Sequence, residues 1–551
     1  MEPPSMVFNI ADSKLKKLKT FADWKLLLFL LLFLDVKLAV KVPAIIIIYL
    51  LQFNFKFGFG FKNSRLPLFY LIVMAIASVD LFLNLNFGNP HYLLVFFNGL
   101  LFWFMCILAI HQVKLSVENN AAITIHNTIL VFFIINAVFS FLMLAHIIWE
   151  TGAINPYTYQ GEYQKYYIGT GDYIKGISFD TSTTNAVLNA FGVIYFLAVR
   201  KPAMVLVCMA VTLLTGSNFI DIALLLVFLF LFIFRSSKDQ KSIIVVCAMF
   251  LVVFMAKISP QNNVYANETI KNIVHPQIVP LEAKPVVKAV LTPEEIKHQF
   301  AQHYIDSVSK VLSKKPGPKQ AAWVNIPVAK TENGRILIPG PDINTKPYQT
   351  PTDTTSDQQV LINFIDQNKT QLPVSGQNKA LPLLPGKAIA TLQTVNYLGR
   401  HSAKIFTGAG IGNFSSKLAF RATGLGFAGG YPAKYVYIAQ GFFANHLDLY
   451  LNFFSKNSGQ HSLTNSPYSV YDQLLGEYGL LGLTAFIVFY LFFFAKHYKK
   501  LSYGLPLLLL LIPVLFIDYW FEQLSVIVFF ELLLFLNIKE TSLPAYTIYE
   551  N

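Results

Sequence analysis

The sequence predicts an all-α polytopic membrane protein with about twelve transmembrane helices and one large, mixed outer loop between the ninth and tenth spans. Three observations carry this. Of 551 residues, 54% are hydrophobic and 13% are charged, about half the charged share of an average soluble protein, so too little polar surface exists to keep such a chain dispersed in water. Apolar runs of membrane-spanning length recur along the chain. Lysine and arginine gather in alternate short loops between those runs. The 50 Phe and 27 Tyr suit lipid-facing and interfacial positions.

Lys14, Lys16, Lys17 and Lys19 precede the first apolar run, which begins at Trp24, and no small-residue cleavage site follows it. The first 23 residues therefore read as a cytoplasmic amphipathic lead-in and not as a cleavable signal. A bilayer core takes roughly 20 apolar residues per helix. Spans are expected at 24–39, 42–54, 66–86, 91–111, 124–148, 184–199, 202–216, 218–235, 242–257, 468–495, 502–519 and 523–538. Asp35, Lys37 and Lys41 interrupt the first two, and the pair meeting at Thr215, Gly216 and Ser217 also fits a re-entrant hairpin.

With the N-terminus inside, the inner loops carry Lys56, Lys62 and Arg65, then Lys114, then Arg200 and Lys201. Arg235, Lys238 and Lys241 follow, then Lys496, Lys499 and Lys500. The short opposite turns, Asn84 to Pro90 and Asp518 to Glu522, carry none, so positive charge alternates in step with the spans. Topology thus accounts for the net charge of +13, and no nucleic acid is called for. Cys106, Cys208 and Cys247 all lie in apolar runs, so none staples an outer loop.

Four regions result. Residues 1–257 form an N-terminal transmembrane bundle with a Tyr-rich outer loop at 149–183, and 258–386 form an outer insertion. Residues 387–467 form a second, motif-bearing part of the outer loop, and 468–551 the C-terminal transmembrane helices. Within the insertion, Thr292, Pro293, Glu294 and Glu295 signal a helix start. From Lys315 to Pro385, frequent Pro and Gly point to short strands or an irregular excursion. From about Lys387 the pattern is helical again, and no internal repeat is evident.

Three outer stretches hold the polar groups: GDYIKGISFDTSTTN (171–185), LGRHSAKIFTGAGIGNF (398–414) and GQHSLTNSPYSVYDQLLGEYGLLG (459–482). In the third, His461, Ser462 and Asn465 stand at the membrane–water boundary. A histidine there titrates near neutrality and can take a proton from an attacking hydroxyl; the plainer alternative is a surface histidine at a helix start. Gln473 and Glu477 follow at i and i+4 in an apolar helix, where an acid is costly unless it is paired, faces a polar cavity or snorkels. The second stretch joins Arg400 and His401 to the glycine turn Gly408 to Phe414, including Gly410, Gly412 and Asn413. Glycines permit close backbone approach and arginine grips phosphate bidentately, although a plain loop between interfacial helices fits as well. A P-loop is excluded, because the Lys-Ser/Thr element is missing. In the first stretch Lys175 precedes Asp180 and Asn185, and on its own it reads as a solvated loop residue.

In this order and on this topology, the three stretches resemble the O-antigen ligase and O-antigen polymerase superfamily of bacterial envelope enzymes, and most of all its ligase-like branch. That family has an outer basic residue followed by Gly, with an Asn before a span. It then has an Arg upstream of a Gly-x-Gly-x-Gly-Asn-Phe turn, and a His before a helix reading Gln-x-x-x-Glu-x-Gly-x-x-Gly. Here these are Lys175 and Gly176 with Asn185, Arg400 with Gly408 to Phe414, and His461 with Gln473, Glu477, Gly479 and Gly482. Gly216, Ser217 and Asn218 occupy the place of the family's Ser-Arg-Gly. Lys175 and Asn218 stand where arginine is usual, and His461 lies further from the Glu helix than the family's His does. The likeness covers the membrane region and about 388–483, but not 258–386.

The resemblance implies a GT-C-like fold in the bacterial cytoplasmic (inner) membrane, with the catalytic loop at 387–467 on the periplasmic side. It implies a glycosyltransferase that takes a glycan from an undecaprenyl-diphosphate carrier and attaches it to a hydroxyl of lipid A core or another acceptor, with inversion. Arg400 and Lys175 would neutralise the diphosphate, and His461 would deprotonate or orient the acceptor hydroxyl. Asn465, Asp180, Asn185, Gly410, Gly412, Asn413, Gln473 and Glu477 would line the donor and acceptor pocket, and membrane lipids would be the surrounding partner. The outer loops contain no Asp-x-Asp pair, so cationic side chains are expected in place of a metal, and no cofactor is expected. Repeat-unit polymerisation is the alternative within the superfamily. A transporter or flippase would call for matched halves with broken, polar mid-bilayer helices, which the sequence lacks. An envelope scaffold would make the long loop a docking module.

Overall fold

The computed structural model describes residues 21–59, 66–83, 86–158, 173–259, 329–330, 336–337, 385–425, 431–453, 463 and 465–542. Residues 1–20 of the lead-in, the helix expected after Thr292, nearly all of the 258–386 insertion, residues 159–172 of the 149–183 loop and His461 lie outside these residues.

The described chain is all-α. Every apolar run of the sequence has become a helix. These are α1 (Trp24–Phe33), α2 (Leu38–Leu51), α3 (Phe69–Leu83), α4 (Pro90–Asn119), α5 (Ala122–Thr151), α6 (Ser182–Ala198), α7 (Pro202–Leu214), α8 (Asn218–Phe234) and α9 (Lys238–Val253). Shorter helices follow: α10 (Gly386–Arg400), α11 (Lys404–Thr407), α12 (Lys417–Ala422), α13 (Gln440–Asn445) and α14 (Leu447–Phe453). The chain closes with α15 (Val470–Phe486), α16 (Gly504–Val514), α17 (Trp520–Gln523) and α18 (Ser525–Ser542). Four helical stretches, Pro90–Asn119, Ala122–Thr151, Lys238–Ile258 and Val470–Ala495, are long and apolar enough to cross a membrane, and several shorter apolar helices accompany them. Among the described residues the only β pairing joins Ala329–Lys330 to Ile336–Leu337, within the stretch where short strands were expected.

The charges that interrupt the first two runs end one helix and begin the next. Asp35 accepts from the Lys37 N–H (2.7 Å), and α1 stops at Phe33, several residues before the expected boundary. Lys41 is buried and donates to the Phe33 carbonyl (2.6 Å) and to Ser525 Oγ (2.9 Å). It therefore serves a carbonyl that the end of α1 leaves without a helical partner.

Polarity is distributed from the inside out. Leu50, Phe82, Leu226, Phe234 and Val252 are well exposed, which in water would promote association and in lipid carries no penalty. The last helix runs through the centre of the bundle. From Val526 to Leu536 it is buried on every side, against α4, α5, α6 and α16 among others. An all-round apolar helix belongs in such a place. Just before its first residue, Leu524 takes a left-handed backbone (φ 70°), so the chain turns abruptly from α17 into α18. Helices α12, α13 and α14 share a small separate core of Phe420, Phe442, Leu447 and Tyr450, closed by Tyr519 from the turn after α16. That packing fastens α12, α13 and α14 to the turn after α16.

Candidate functional site

The second and third polar stretches of the sequence form one unit. Glu477, buried on α15, accepts from the backbone N–H groups of Gly412 (2.9 Å), Phe414 (3.3 Å) and Ser416 (3.1 Å). The same turn donates from Ala409 to the Gly476 carbonyl (2.9 Å) and from Gly410 to the Glu477 carbonyl (3.1 Å). Two backbones can approach this closely only without side chains. A Cβ on Gly408 (φ 77°) would lie 2.3 Å from the Glu477 carbonyl carbon, and one on Gly479 (φ 65°) 2.4 Å from the Phe406 oxygen. Residue 479 also leaves helical geometry, so α15 kinks where the turn presses in. Gly410 and Gly412 pack as tightly, against Asp80 and Val95. The spacing of Glu477, Gly479 and the three turn glycines is thus the signature of a docking contact. The turn's N–H groups at 412, 414 and 416 are already taken by a carboxylate, so the turn is a mount and not an anion cradle.

The mount carries polar groups on both sides. Asn413 donates to the Ala409 carbonyl (3.0 Å) and accepts from Tyr437 (2.9 Å), while the Phe414 ring lies between Tyr397 and His446. Lys404, just before the turn, is 3.7 Å from the buried carboxylate of Asp80 on α3, to which Thr407 also donates (3.4 Å). Beyond the turn, α12 presents Lys417 and Arg421, both half-buried. One step from Glu477 on α15, Gln473 donates to Glu522 (2.7 Å). Asp472 accepts from Thr394 (2.6 Å) and pairs with the buried His446 (3.1 Å).

Arg400 is exposed at the C-terminal end of α10, where its charge suits the helix dipole. The other end of α10 is fixed by Asn465, whose side chain accepts from the Gly386 N–H (3.1 Å). Lys387 anchors it further through the carbonyls of Tyr468 and Ile517 (3.0 Å to the latter). Burial pushes the Lys387 ammonium down to about 7, against the opposing pull of Asp518 and Asp472.

In the first stretch, Asn185 is wholly enclosed and spends its amide on structure. It donates to Ser140 (3.1 Å) and to the Ile174 carbonyl (3.0 Å), and accepts from Asn136 (2.9 Å) and Asn189 (2.8 Å). Gly176 (φ 59°) must lack a Cβ, which would fall 2.5 Å from Asn185 Oδ1. The pattern Lys-Gly with a later Asn therefore describes a turn clamped between α5 and α6, with Lys175 half-buried at its start. Asp180 accepts from Thr184 (2.7 Å) and is near enough to Asp518 for their charges to interact.

The described residues thus bring Gly410, Gly412, Asn413, Gln473 and Glu477 together, with Arg400 and Asn465 at opposite ends of α10. Asp80, His446, Asp472, Glu522, Lys404, Lys417 and Arg421 were missed by sequence reasoning. Asp80, Asp472 and Glu522 carried a signal, each being an acid within or beside an apolar run. His446 and the lysines carried none. No family model matches the sequence, and no curated protein or solved structure gives a significant match to the chain.

Proposed function

We propose that the chain is a twelve-span glycosyltransferase of the bacterial inner membrane, similar to the O-antigen ligases. It moves a glycan from undecaprenyl diphosphate to an acceptor hydroxyl, such as one on lipid A core, at the periplasmic face. Alternating loop charge supports the span count and the orientation. The observation that carries the reading is the docking of the Gly408–Ser416 turn on Glu477. It joins two motif stretches far apart in sequence into one unit and leaves Lys404, Lys417 and Arg421 around it, with Arg400 on the helix that precedes it.

The chemistry fits such a unit. A glycosyl diphosphate is an activated donor, so the protein has to neutralise the departing diphosphate and receive one proton. Fixed cations at the headgroup level do the first as a preorganised clamp. Arg400 and Lys175 are assigned to it, with Lys404, Lys417 and Arg421 beside the docked turn, and His461 orients the acceptor hydroxyl. Apolar helices hold the carrier's tail.

Deleting the gene and separating the cell's lipopolysaccharide on a gel tests this. Bare core with accumulated lipid-linked glycan is the expected outcome. Core bearing a single repeat would replace ligation by polymerisation, and an unchanged pattern would overturn the transferase reading.

A further inference from the structure

Four buried side chains at the start of α15 and in the turn before α18 each keep an unmatched oxygen. Gln473 uses its amide nitrogen on Glu522 Oε1 (2.7 Å), but Gln473 Oε1 and Glu522 Oε2 have no hydrogen-bond partner among the described residues. Four residues before Gln473, at the N-cap of α15, Ser469 Oγ is likewise unmatched, as is Gln523 Oε1 beside Glu522. All four side chains are more than nine-tenths buried, with relative exposures of 4% for Ser469, 3% for Gln473, 9% for Glu522 and 8% for Gln523. Native interiors rarely leave buried acceptors unmatched, and a group of them marks a place where a ligand or water completes the bonding.

The unmatched atoms are of one kind. A carboxylate oxygen, two amide oxygens and a hydroxyl can all accept, so they suit a partner rich in O–H donors. A phosphate, which offers acceptors, would be repelled. Within electrostatic reach of Glu522 lies the opposite chemistry. Lys417 and Arg421, a turn apart on α12, both act electrostatically on Glu522, and Lys417 also lies over the Tyr468 ring (5.6 Å). Tyr431, bonded to Asn98 (2.5 Å), senses both Arg421 and Glu522. A group of unmatched acceptors next to two cations matches a sugar hydroxyl approaching a glycosyl diphosphate.

We propose that Glu522, held by Gln473 and within electrostatic reach of Lys417 and Arg421, is a catalytic carboxylate that takes the proton from the acceptor sugar's hydroxyl. This rests on the transferase reading above and names the acceptor side of that reaction. The hydroxyl O–H bond breaks and its proton passes to Glu522 Oε2. The oxygen's electron pair forms the new bond to the anomeric carbon. The anomeric C–O bond to the carrier breaks, and its pair leaves on the polyprenyl diphosphate, whose added negative charge faces Lys417 and Arg421. The proton afterwards passes to solvent. Burial, Glu477 and Asp518 push the Glu522 carboxyl up, to about 8, against the pull of Arg421 and Lys417, so it accepts protons most effectively at or above that pH.

The test uses right-side-out membrane vesicles from a deletion strain carrying the full chain. Transfer of the cell's own lipid-linked glycan to acceptor lipid is followed as the outer pH is varied, and binding of undecaprenyl diphosphate is measured alongside. With wild type, transfer rises with pH up to about 8 and then levels. Glu522→Gln lowers transfer about 10²-fold or more, abolishes that limb and leaves undecaprenyl diphosphate binding intact, whereas Glu522→Asp keeps transfer and moves the limb. Transfer by Glu522→Gln within twofold of wild type, or an unmoved limb in Glu522→Asp, overturns the assignment. Should Glu522→Gln fail to reach the membrane, the Glu522→Asp profile decides alone. No transfer by wild type would instead overturn the transferase reading beneath it.

Discussion

Glu477 and Glu522 are both buried glutamates, and both belong to polar clusters reached through α15. Glu477 meets three backbone N–H groups of a single turn, whereas Glu522 meets one amide and keeps an unmatched oxygen. Asn185 stands with Glu477, its amide being fully engaged between two helices. A satisfied buried group holds its surroundings in one geometry. An unsatisfied one has bonding capacity left for something else. In this protein the residues that make the motifs recognisable are largely of the first kind, and the unspent chemistry lies beside them.

The widest separation between the two glutamates should come from truncation. Glu477→Ala would leave three buried N–H groups unmatched, at about 1–3 kcal/mol each, so folded protein should be nearly lost. The recovered monodisperse fraction in size-exclusion chromatography measures it. If Glu477→Ala stays folded and merely inactive, the distinction between mount and reactive group breaks. Next come Arg400→Ala and His461→Ala, which should abolish glycan attachment while normal amounts of protein reach the membrane. Ordinary lipopolysaccharide in cells carrying either variant would remove that residue from the reaction.

Asn185→Ala should cost about 1–3 kcal/mol, seen as a lower midpoint of thermal unfolding, and should slow transfer only in proportion to lost protein. A loss of turnover at unchanged stability would move Asn185 into the reactive group. The smallest effect is expected at Lys175, where Lys175→Ala should slow transfer about tenfold. Lys175→Arg should restore it, and failure to do so would mean that a compact ammonium is needed and not merely a positive charge.

Much of the architecture was legible from composition and period. Hydropathy located the long apolar helices among the described residues, because a helix satisfies its own backbone within one continuous segment, whereas the short helices from Lys404 to Phe453 carried no such signal. The breaks at Asp35 and at Gly216 were visible for the same local reason, since a charge or a left-handed glycine ends a helix on the spot. Glu477 and the glycine turn were visible as residues, but their contact was not. It depends on two backbones meeting across about sixty residues of sequence.

By itself, the sequence determined the helices, the alternation of charge around them and the residue types gathered at the outer end. Only tertiary structure decided which of those residues are spent and which are unspent. Whether a carboxylate is satisfied depends on the N–H groups that folding brings to it from elsewhere in the chain, and no local pattern records their arrival.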